Sequence, residues 1–533
     1  MNFNKKLAVA VSSAVLLMAG QVALADSTSD IVDALVGKGI LTEEEGKLIS
    51  KGHESKTKVT PVVKEKDGSF SLESANGRNS IGLTGRMHLD YRHINIPGLA
   101  DNTIANYGDK DTASGADQFE LRRARIGVKG KLAKHFNYEA VVSIPGTATV
   151  DVAYMDFAKY DQVQFRFGKF KQPFGLEQLT SSNNIDFQER SYVDQHSPGK
   201  RLGTQVMGEL RPGITYAASA YQFNDTENNY QSENMSYAGR ATSNFAEIVG
   251  NKEMIMHVGL SGFDNSYSIR PTSSSQDAGS ATSTGTYMSY RTPGRGLSNI
   301  FRAQINGSTF AQTWQNATSD LTANVDSKAL GLEGIFAYGP FKIQGEYTDA
   351  RYKANYQNVA VSTVGTDAYY VEALWLLTGE KYANAYKKGV FGSIKPNKDF
   401  DLDNYSGLGA WELGLKYEAY NVYDAHAGSE NAGSSLLSAG TRFQGNLDCN
   451  GTNSAAAAAN SSQTAVATGG RNNCSSGANT YTAGIKWILN PNMRVLMNYQ
   501  YTKFDNAWNH FDVGGNSFMK HEDLLSVRGQ WAF

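Results

Sequence analysis

Polar and apolar residues alternate with period two in segment after segment, from about residue 79 to the end of the chain. In IGLTGRMHLDYR (81–92), odd-numbered positions carry apolar residues, tyrosine or glycine, whereas even-numbered positions include Arg86, Asp90 and Arg92. The same alternation recurs in FNYEAVVSI (136–144), FKIQGEY (341–347), RVLMNYQYTKF (494–504) and SVRGQWAF (526–533). Because successive side chains of a β-strand point to opposite faces, the pattern predicts many strands with one apolar and one polar face.

Connections between these segments differ in length on the two sides of the predicted sheet. Tight turns such as YGP (338–340) and NPN (490–492) join neighbours on one side. Most connections on the other side are long, among them 94–117, 170–200, 423–478 and 506–521. Short turns at one end and long loops at the other are typical of an outer-membrane β-barrel. Soluble β-sandwiches also alternate, but they rarely keep this asymmetry over so many strands.

The sequence therefore predicts an all-β fold, a transmembrane antiparallel β-barrel of about 16 strands. The expected number is 16–18, because residues 234–306 do not divide clearly into strands. A barrel of this size encloses an aqueous channel rather than a packed core.

The chain before the barrel divides into three parts. Residues 1–25 have the order of a secretory signal peptide: Lys5 and Lys6, then an apolar run from 7 to about 20, then Ala-Leu-Ala. A transmembrane anchor is the alternative, but the run is shorter than the ~20 residues that cross a bilayer. Residues 26–58 are predicted to be a periplasmic helical segment, with Thr42 and Glu45 as a capping box. Residues 59–78 are predicted to be a linker, and 79–533 the barrel.

Charge and residue types exclude several classes of function. The chain has 50 basic and 52 acidic residues, and loss of Lys5 and Lys6 with the signal peptide leaves 48 basic ones. This near-neutral balance gives no sign of nucleic-acid binding. With nine histidines and no evident Ser/His/Asp constellation, a barrel enzyme such as a phospholipase is not supported, and no cofactor or metal site is predicted. An adhesive surface protein is supported only by the long segment 423–478.

Cys449 and Cys474 are the only cysteines, and both lie in one polar stretch rich in alanine, serine, asparagine and glycine. In an exported protein such a pair predicts a disulfide within a loop. Zinc binding is the weaker alternative, because no histidine or further cysteine joins them at ligand spacing.

RRARIGVKG (122–130) places basic residues inside a strand. An arginine on the lipid face at mid-depth costs ~2–4 kcal/mol. The apolar alternate positions 124, 126 and 128 are therefore expected to face lipid, which turns Arg123, Arg125 and Lys129 into the lumen. Arg122 then has the outward parity, so it is expected near a rim, in a subunit contact, or shifted by a β-bulge.

Other strands add to the expected charge of the lumen. Arg86 and Arg92 of the first strand and Arg166 of a later one have inward parity, so the early strands are predicted to form a basic wall. Acids with inward parity concentrate in the later strands: Glu333, Glu346, Glu372, Glu412 and Glu418. Such segregation predicts a transverse field and successive guanidinium contacts for anions. The alternative is a mixed polar lumen, since Asp90 and Glu139 of early strands also read as inward.

Five long strings carry a resemblance to a known family: FELRRARIGVKG (119–130), FRFGKFKQPFGLEQLTSSNNIDFQERS (165–191), LTGEKYANAYKKGVFGSIKPNKDF (377–400), GAWELGLKYEAYNVYD (409–424) and AGIKWILNPNMRVLMNYQY (483–501). In these strings the chain resembles the phosphate-selective porin O and P family, from about 80 to 533. The resemblance implies an outer-membrane porin of a Gram-negative bacterium that passes small anions by diffusion. It also implies a homotrimer of sixteen-stranded barrels in contact with lipid and lipopolysaccharide. RGQWAF, ending in Phe533, resembles the C-terminal signal that the barrel-assembly machinery binds.

The resemblance also implies two constrictions. The third external loop, about 170–200, is expected to fold inward, and its candidate residues are Lys169, Lys171, Glu177, Asp186, Glu189, Arg190, Lys200 and Arg201. The connection 379–407 falls on the periplasmic side by strand parity and is expected near the pore exit. Its candidate residues are Lys387, Lys388, Lys395 and Lys398, for which a solvated surface loop is the alternative.

The candidate residues of the constriction loop include three acids among the bases. Two unit charges 4 Å apart interact by roughly 4 kcal/mol at an effective dielectric of 20, so the carboxylates weaken an anion trap. The main hypothesis is an anion-preferring porin with phosphate as the family's label. The alternative is a general, weakly selective porin for small polar solutes.

Overall fold

The structure, a computed structural model, consists of a sixteen-stranded barrel preceded by N-terminal helices and a pair of short strands. The described residues are 27–57, 60–66, 69–95, 117–223, 234–269, 284–296, 300–306, 323–356, 359–401, 403, 406–427, 441–450, 472–509 and 518–533. The predicted signal peptide lies outside them. Within them, no helix has the length and apolar character needed to cross a membrane.

Two helices, α1 (Ser27–Gly37) and α2 (Glu43–Thr57), precede the strands and form a hairpin. The capping box that opens α2 is present: the backbone N–H of Glu45 donates to Oγ1 of Thr42 at 3.2 Å, and the N–H of Thr42 donates to Oε2 of Glu45 at 2.9 Å. Two hydrogen-bond donors that a helix start leaves free are thereby satisfied.

The predicted linker 59–78 instead contains a β-hairpin. Strands β1 (Val62–Lys66) and β2 (Ser69–Glu73) pair, and β2 continues onto the barrel with Leu72 opposite Ile81. The polar composition concealed two short runs flanking Asp67-Gly68, a dipeptide that favours tight hairpin turns.

Sixteen antiparallel strands close the barrel, as the alternation predicts. They are β3 (Ser80–Asn95), β4 (Asp117–Leu132), β5 (Phe136–Ser143), β6 (Thr149–Phe157), β7 (Gln164–Lys171), β8 (Lys200–Arg211), β9 (Ile214–Gln222), β10 (Ser236–Asn244), β11 (Met254–Ile269), β14 (Ala323–Tyr338), β15 (Phe341–Tyr356), β16 (Val359–Leu376), β19 (Ala410–Ala427), β22 (Asn472–Asn490), β23 (Met493–Asn509) and β24 (Phe518–Ala532). The last strand pairs with the first, Ala532 opposite Arg86, so the ring has no free edge.

Shorter elements lie in the connections. A three-stranded sheet consists of β12 (Thr284–Tyr290), β13 (Phe301–Asn306) and β20 (Thr441–Gly445), and a hairpin consists of β17 (Tyr386–Lys387) and β18 (Val390–Phe391). Strand β21 (Asp448–Asn450) pairs with β22, and α3 (Leu176–Leu179) and α4 (Phe245–Ile248) are single turns. The described residues of 234–306 therefore include two barrel strands and two strands of the small sheet, which explains why the alternation of this segment does not divide evenly.

The outer face of the barrel is apolar and bounded by aromatic residues. Leu260, Leu332 and Leu415 are among its exposed side chains. At the end with short turns, Trp411 stacks on Trp487 and Phe341 on Trp375, with ring centroids 5.2 and 5.6 Å apart. An apolar band with aromatic girdles is the surface that a transmembrane barrel presents to lipid.

The segment between β16 and β19 lies at the end that carries the short turns. Phe400 of this segment donates its N–H to the carbonyl of Leu489, next to the β22–β23 turn, at 2.7 Å. The chain terminus is at the same end, where Phe533 and Gly85 exchange two backbone hydrogen bonds of 3.1 and 3.0 Å. The segment thus lies at the short-turn end, which strand parity predicts to be the periplasmic side.

Candidate functional site

Two β-bulges add inward charges to the lumen. Between β3 and β4 the register changes from His88 opposite Arg123 to Leu89 opposite Leu121, so Arg122 is the extra residue. Its guanidinium points inward, where Nε donates to Oε1 of Glu189 at 2.8 Å. Asp151 is likewise the extra residue of β6 opposite β5. A bulge re-aims one side chain, so Arg122 follows the shifted alternative of the sequence prediction.

A cavity of about 810 Å³ lies among the described residues of the interior, along the wall made by β3 to β10. Five acidic side chains line it: Glu139, Asp151, Asp161, Asp194 and Glu209. Nine basic side chains line it: Arg86, Arg123, Arg125, Arg166, Lys171, Arg190, Lys200, Arg240 and Lys388. The early strands therefore provide a cavity with an excess of positive charge.

Three cations surround one carboxylate on the loop side of this cavity. Oδ1 of Asp151 accepts from Nζ of Lys200 at 2.5 Å and lies 3.0 Å from Nη2 of Arg125. Arg86 donates to the hydroxyl of Ser182 at 2.9 Å. We call Arg86, Arg125, Lys200 and Asp151 the upper cluster. It has three positive charges and one negative charge.

Towards the short-turn end, Arg166 is fully engaged by its neighbours. Its Nε and Nη2 donate to the two carboxylate oxygens of Asp156 at 2.6 and 2.8 Å. The guanidinium also lies 4.0 Å from the ring centre of Tyr154, whose hydroxyl donates to Glu139 at 2.6 Å. A bidentate pair of this kind fixes the arginine and balances its charge.

The loop 172–199 lies inside the barrel against the late strands, whose acids hold it. The carboxylate of Glu346 accepts the backbone N–H of Leu176 and of Glu177, both at 2.7 Å. Glu418 accepts the N–H of Tyr192 at 3.1 Å. Glu346 and Glu418 thus anchor the constriction loop, and the described lining of the cavity includes none of the five late-strand acids from which a transverse field is predicted.

The loop's own acids are also paired. Asp186 accepts from Nζ of Lys342 at 2.7 Å. Burial alone would raise the pKa of Glu189, but the guanidinium groups of Arg123, Arg122 and Arg528 hold it well below its ordinary value. The ionised carboxylate of Glu189 therefore links the loop to three arginines.

Glu177 is the exception among these acids, because its nearest partners are neutral. Its Oε2 accepts from the backbone N–H and the hydroxyl of Ser191, at 2.8 and 2.6 Å. Burial raises the pKa of Glu177 to about 7, and the ammonium of Lys416 opposes this shift.

Lys171 and Arg190 reach the cavity edge but are used largely to hold the loop. Nζ of Lys171 donates to the carbonyls of Gln178 and Thr180 at 2.6 and 3.0 Å. Nε of Arg190 donates to the carbonyl of Glu177 at 2.9 Å. Both cations satisfy carbonyls that the single turn α3 leaves free. Sequence analysis could not predict this use, which depends on the loop's conformation.

Other predicted residues lie away from the cavity. Arg92 is buried, with its Nη2 2.7 Å from Oδ2 of Asp90. Lys129 has inward parity but lies near the short-turn end. Lys169 has the outward parity of Phe167 on β7. Arg201 donates to the carbonyl of Pro198 at 2.8 Å and lies over the ring of Phe223.

The β17–β18 hairpin crosses the interior at the short-turn end. Nζ of Lys388 lies 3.2 Å from Asp161 and 3.4 Å from Glu209 on the opposite wall. Nη2 of Arg240 donates to the carbonyl of Gly389 at 2.8 Å. Of the four predicted lysines, Lys388 alone lines the cavity; the other three are exposed, namely Lys387, Lys395 and Lys398.

Several lining residues were missed by sequence analysis. Asp151 was missed because a bulge carries no period-two signal, and Arg240 because it lies in the segment that alternation does not resolve. The predicted cysteine pair lies outside the cavity, where Cys449 of β21 and Cys474 of β22 are opposite each other in the backbone register. That placement is the one a disulfide needs.

Comparison with known proteins gives one family and several similar proteins. The family model of the phosphate-selective porin O and P matches residues 81–533. Porin O of Pseudomonas aeruginosa is 26% identical over 391 residues, which are 70% of this chain and 79% of the relative. The anion-selective porin from Comamonas acidovorans is 10% identical with a TM-score of 0.42, covering 85% of this chain and 100% of that one. The OmpT protein of Vibrio cholerae lacking loop L8 is 10% identical with a TM-score of 0.43, covering 86% of this chain and 100% of that one.

Proposed function

The chain belongs to the phosphate-selective porin O and P family, and from that premise we propose that it is an anion-preferring diffusion channel. It is a porin of the Gram-negative outer membrane, and its barrel is a channel fold. The proposal concerns what passes: small anions, which move along the wall of β3 to β10 past the constriction loop.

The observation that carries this proposal is the charge of the cavity lining. Nine basic side chains stand against five acidic ones. The acids of the late strands, such as Glu346 and Glu418, are engaged by loop N–H groups and shielded from the cavity. An anion that loses part of its hydration gains charge-assisted hydrogen bonds from guanidinium groups, whereas a cation gains little along the same path.

Several basic groups occur in sequence along the proposed path. Arg123 lies nearest the long loops, Arg125 follows on the same strand, and Lys388 lies towards the short-turn end. Several weak sites of this kind favour conduction, because an anion is held loosely enough at each one to move on.

A salt gradient across a planar bilayer tests the proposal. We expect a reversal potential of the sign that anion selectivity produces, and we expect Arg123→Glu with Arg125→Glu to reduce or reverse it. The matched control is Lys328→Glu with Lys353→Glu, which makes the same charge change on the exposed outer face of β14 and β15. Cation selectivity of the unmodified protein would contradict the proposal.

A general, weakly selective porin is the second candidate, and the pairing within the lumen favours it. Asp151 lies between two cations and Asp156 occupies Arg166, so part of the basic lining is neutralised. The same recording separates the two, because this candidate requires permeability ratios close to one. Block of the chloride current by phosphate, measured over a concentration range, tests whether the family's label applies to this chain.

Assembly and partners form the rest of the proposal. We expect a homotrimer in the outer membrane whose apolar band contacts lipid and lipopolysaccharide. Phe533 is expected to be recognised by the barrel-assembly machinery; its ring lies 4.8 Å from that of Trp531. Removal of Phe533 should lower the yield of assembled barrel, as measured by the fraction that resists extraction from the membrane.

A further inference from the structure

An apolar belt interrupts the charged lining of the cavity. Val141 of β5 and Val152 of β6 are cross-strand partners, and both line the cavity, Val152 in regular alternation with Tyr154. Phe170 of β7, which is almost fully buried, borders the cavity beside these valines, whereas Met207 of β8 is opposite Gln164 and lies beyond Arg166. Apolar side chains at this position do not help a small hydrated ion to pass, because they offer it no hydrogen bond and no charge.

The upper cluster borders this belt and retains donor capacity. Nε of Arg86 and Nε of Arg125 are buried and have no hydrogen-bond partner among the described residues. With three cations around Asp151, the cluster has a net charge of +2, which one further carboxylate lowers to +1. Arg125 also lies one inward position along β4 from Gly127, whose partner on β5 is Val141, so the cation and the belt are neighbours.

On the other side of the belt, Arg166 is not a second anion-binding group as strong as the upper cluster. Nε and Nη2 of Arg166 donate to Asp156, and the guanidinium lies over the Tyr154 ring. A ligand that fits the upper cluster and the neighbouring belt has one anionic head for the cluster and an apolar body for the belt. The cavity volume of about 810 Å³ is within the usual range for organic ligands.

We infer that the upper cluster and the adjoining apolar belt form a binding site for monocarboxylates with an apolar body, such as aromatic or branched-chain acids. This inference rests on the proposed anion channel and names a class of solute for it. Inorganic phosphate has no apolar surface, so it uses the cluster and leaves the belt without a partner.

Block of the chloride current by three anions tests the inference. Benzoate and acetate share the carboxylate and differ in the apolar body, and phosphate serves as the inorganic comparison. We expect benzoate to reach half-block at a concentration about 10-fold below that of acetate, equal to about 1.4 kcal/mol. Equal block by benzoate and acetate, or tighter block by phosphate than by benzoate, overturns the inference.

A pair of matched double variants locates the site. Val141→Thr with Val152→Thr keeps side-chain shape and removes apolar surface from the belt. We expect it to reduce the preference for benzoate over acetate about 3-fold or more, since each replaced methyl group loses apolar contact. Val142→Thr with Val150→Thr makes the same change at cross-strand partners of outward parity on the same two strands. The inference fails if this control loses the preference equally.

The head group is tested separately. Arg125→Gln is expected to weaken block by acetate and by benzoate to a similar degree, because both use the carboxylate. Failure of the inference and failure of the proposed function remain distinguishable. An anion-selective pore without benzoate preference contradicts the inference alone, whereas a cation-selective pore contradicts the proposed function as well.

Discussion

At the scale of single residues, the buried carboxyl of Glu177 has an unusual proton affinity. It accepts two hydrogen bonds from Ser191, and the charged groups that face it are Lys416, Asp194 and Glu418. Its pKa is about 7 in the folded protein against an ordinary value of 4.5. The folded state therefore binds the proton more tightly than the unfolded chain does.

This proton linkage predicts that the loop is seated more firmly in mild acid. The stabilising effect of the protonated form is complete below the unfolded pKa and is lost as pH rises from about 4.5 to about 7, a range worth roughly 3 kcal/mol. Glu177→Gln should flatten the pH dependence of thermal stability across that window. The exposed Glu253→Gln is the control. An unchanged pH profile in Glu177→Gln would contradict the assignment.

At the scale of elements, the constriction loop is held through its backbone. Glu346 accepts two N–H groups of the loop and Glu418 accepts one, from strands far along the chain. An unmet buried N–H costs about 1–3 kcal/mol, so these two carboxylates contribute much of what keeps the loop inside the barrel.

Removal of both anchors should release the loop. Glu346→Ala with Glu418→Ala is expected to raise single-channel conductance and to increase current noise, because about three loop N–H groups lose their acceptors and each costs about 1–3 kcal/mol. Glu253→Ala with Glu65→Ala removes two exposed acids and should leave the conductance unchanged. A conductance equal to that of the unmodified protein would show that other contacts suffice to hold the loop.

At the scale of the whole molecule, the interior is narrowed from both ends. The loop 172–199 enters from the side of the long connections, and the β17–β18 hairpin crosses from the side of the short turns. The remaining space lies against one wall and has a net positive lining. Anions are expected to accumulate there when the surrounding salt is dilute.

This accumulation predicts a sublinear dependence of conductance on salt. On dilution from about 1 M to about 0.1 M KCl the Debye length grows from ~3 to ~10 Å, so the lining charge acts over a longer range. Conductance should therefore fall less than about 10-fold. Arg123→Glu with Arg125→Glu should make the fall closer to proportional. Strict proportionality in the unmodified protein would argue against a charged path.

The alternation predicts the sixteen strands and the inward direction of Arg123, Arg125 and Arg166, because lipid penalises charge at known depths. It does not predict the inward turn of Asp151, since a bulge breaks the period it relies on. The alternation also does not predict the roles of Lys171 and Arg190. Those cations bind loop carbonyls, and the loop's conformation depends on partners such as Glu346, 170 residues away from Leu176.

The bulge at Arg122 has a consequence for how the length of β4 can change. Leu121 and Phe119 face outward while Arg123 faces inward, so the strand reverses its phase at this one position. Deletion of one arginine of the Arg122-Arg123 pair would leave every other side chain of β4 on its present face, whereas deletion of a single residue farther along the strand would turn the side chains on one side of it to the opposite face. A one-residue deletion should accordingly be tolerated at this point of the strand and disrupt the fold along the rest of it.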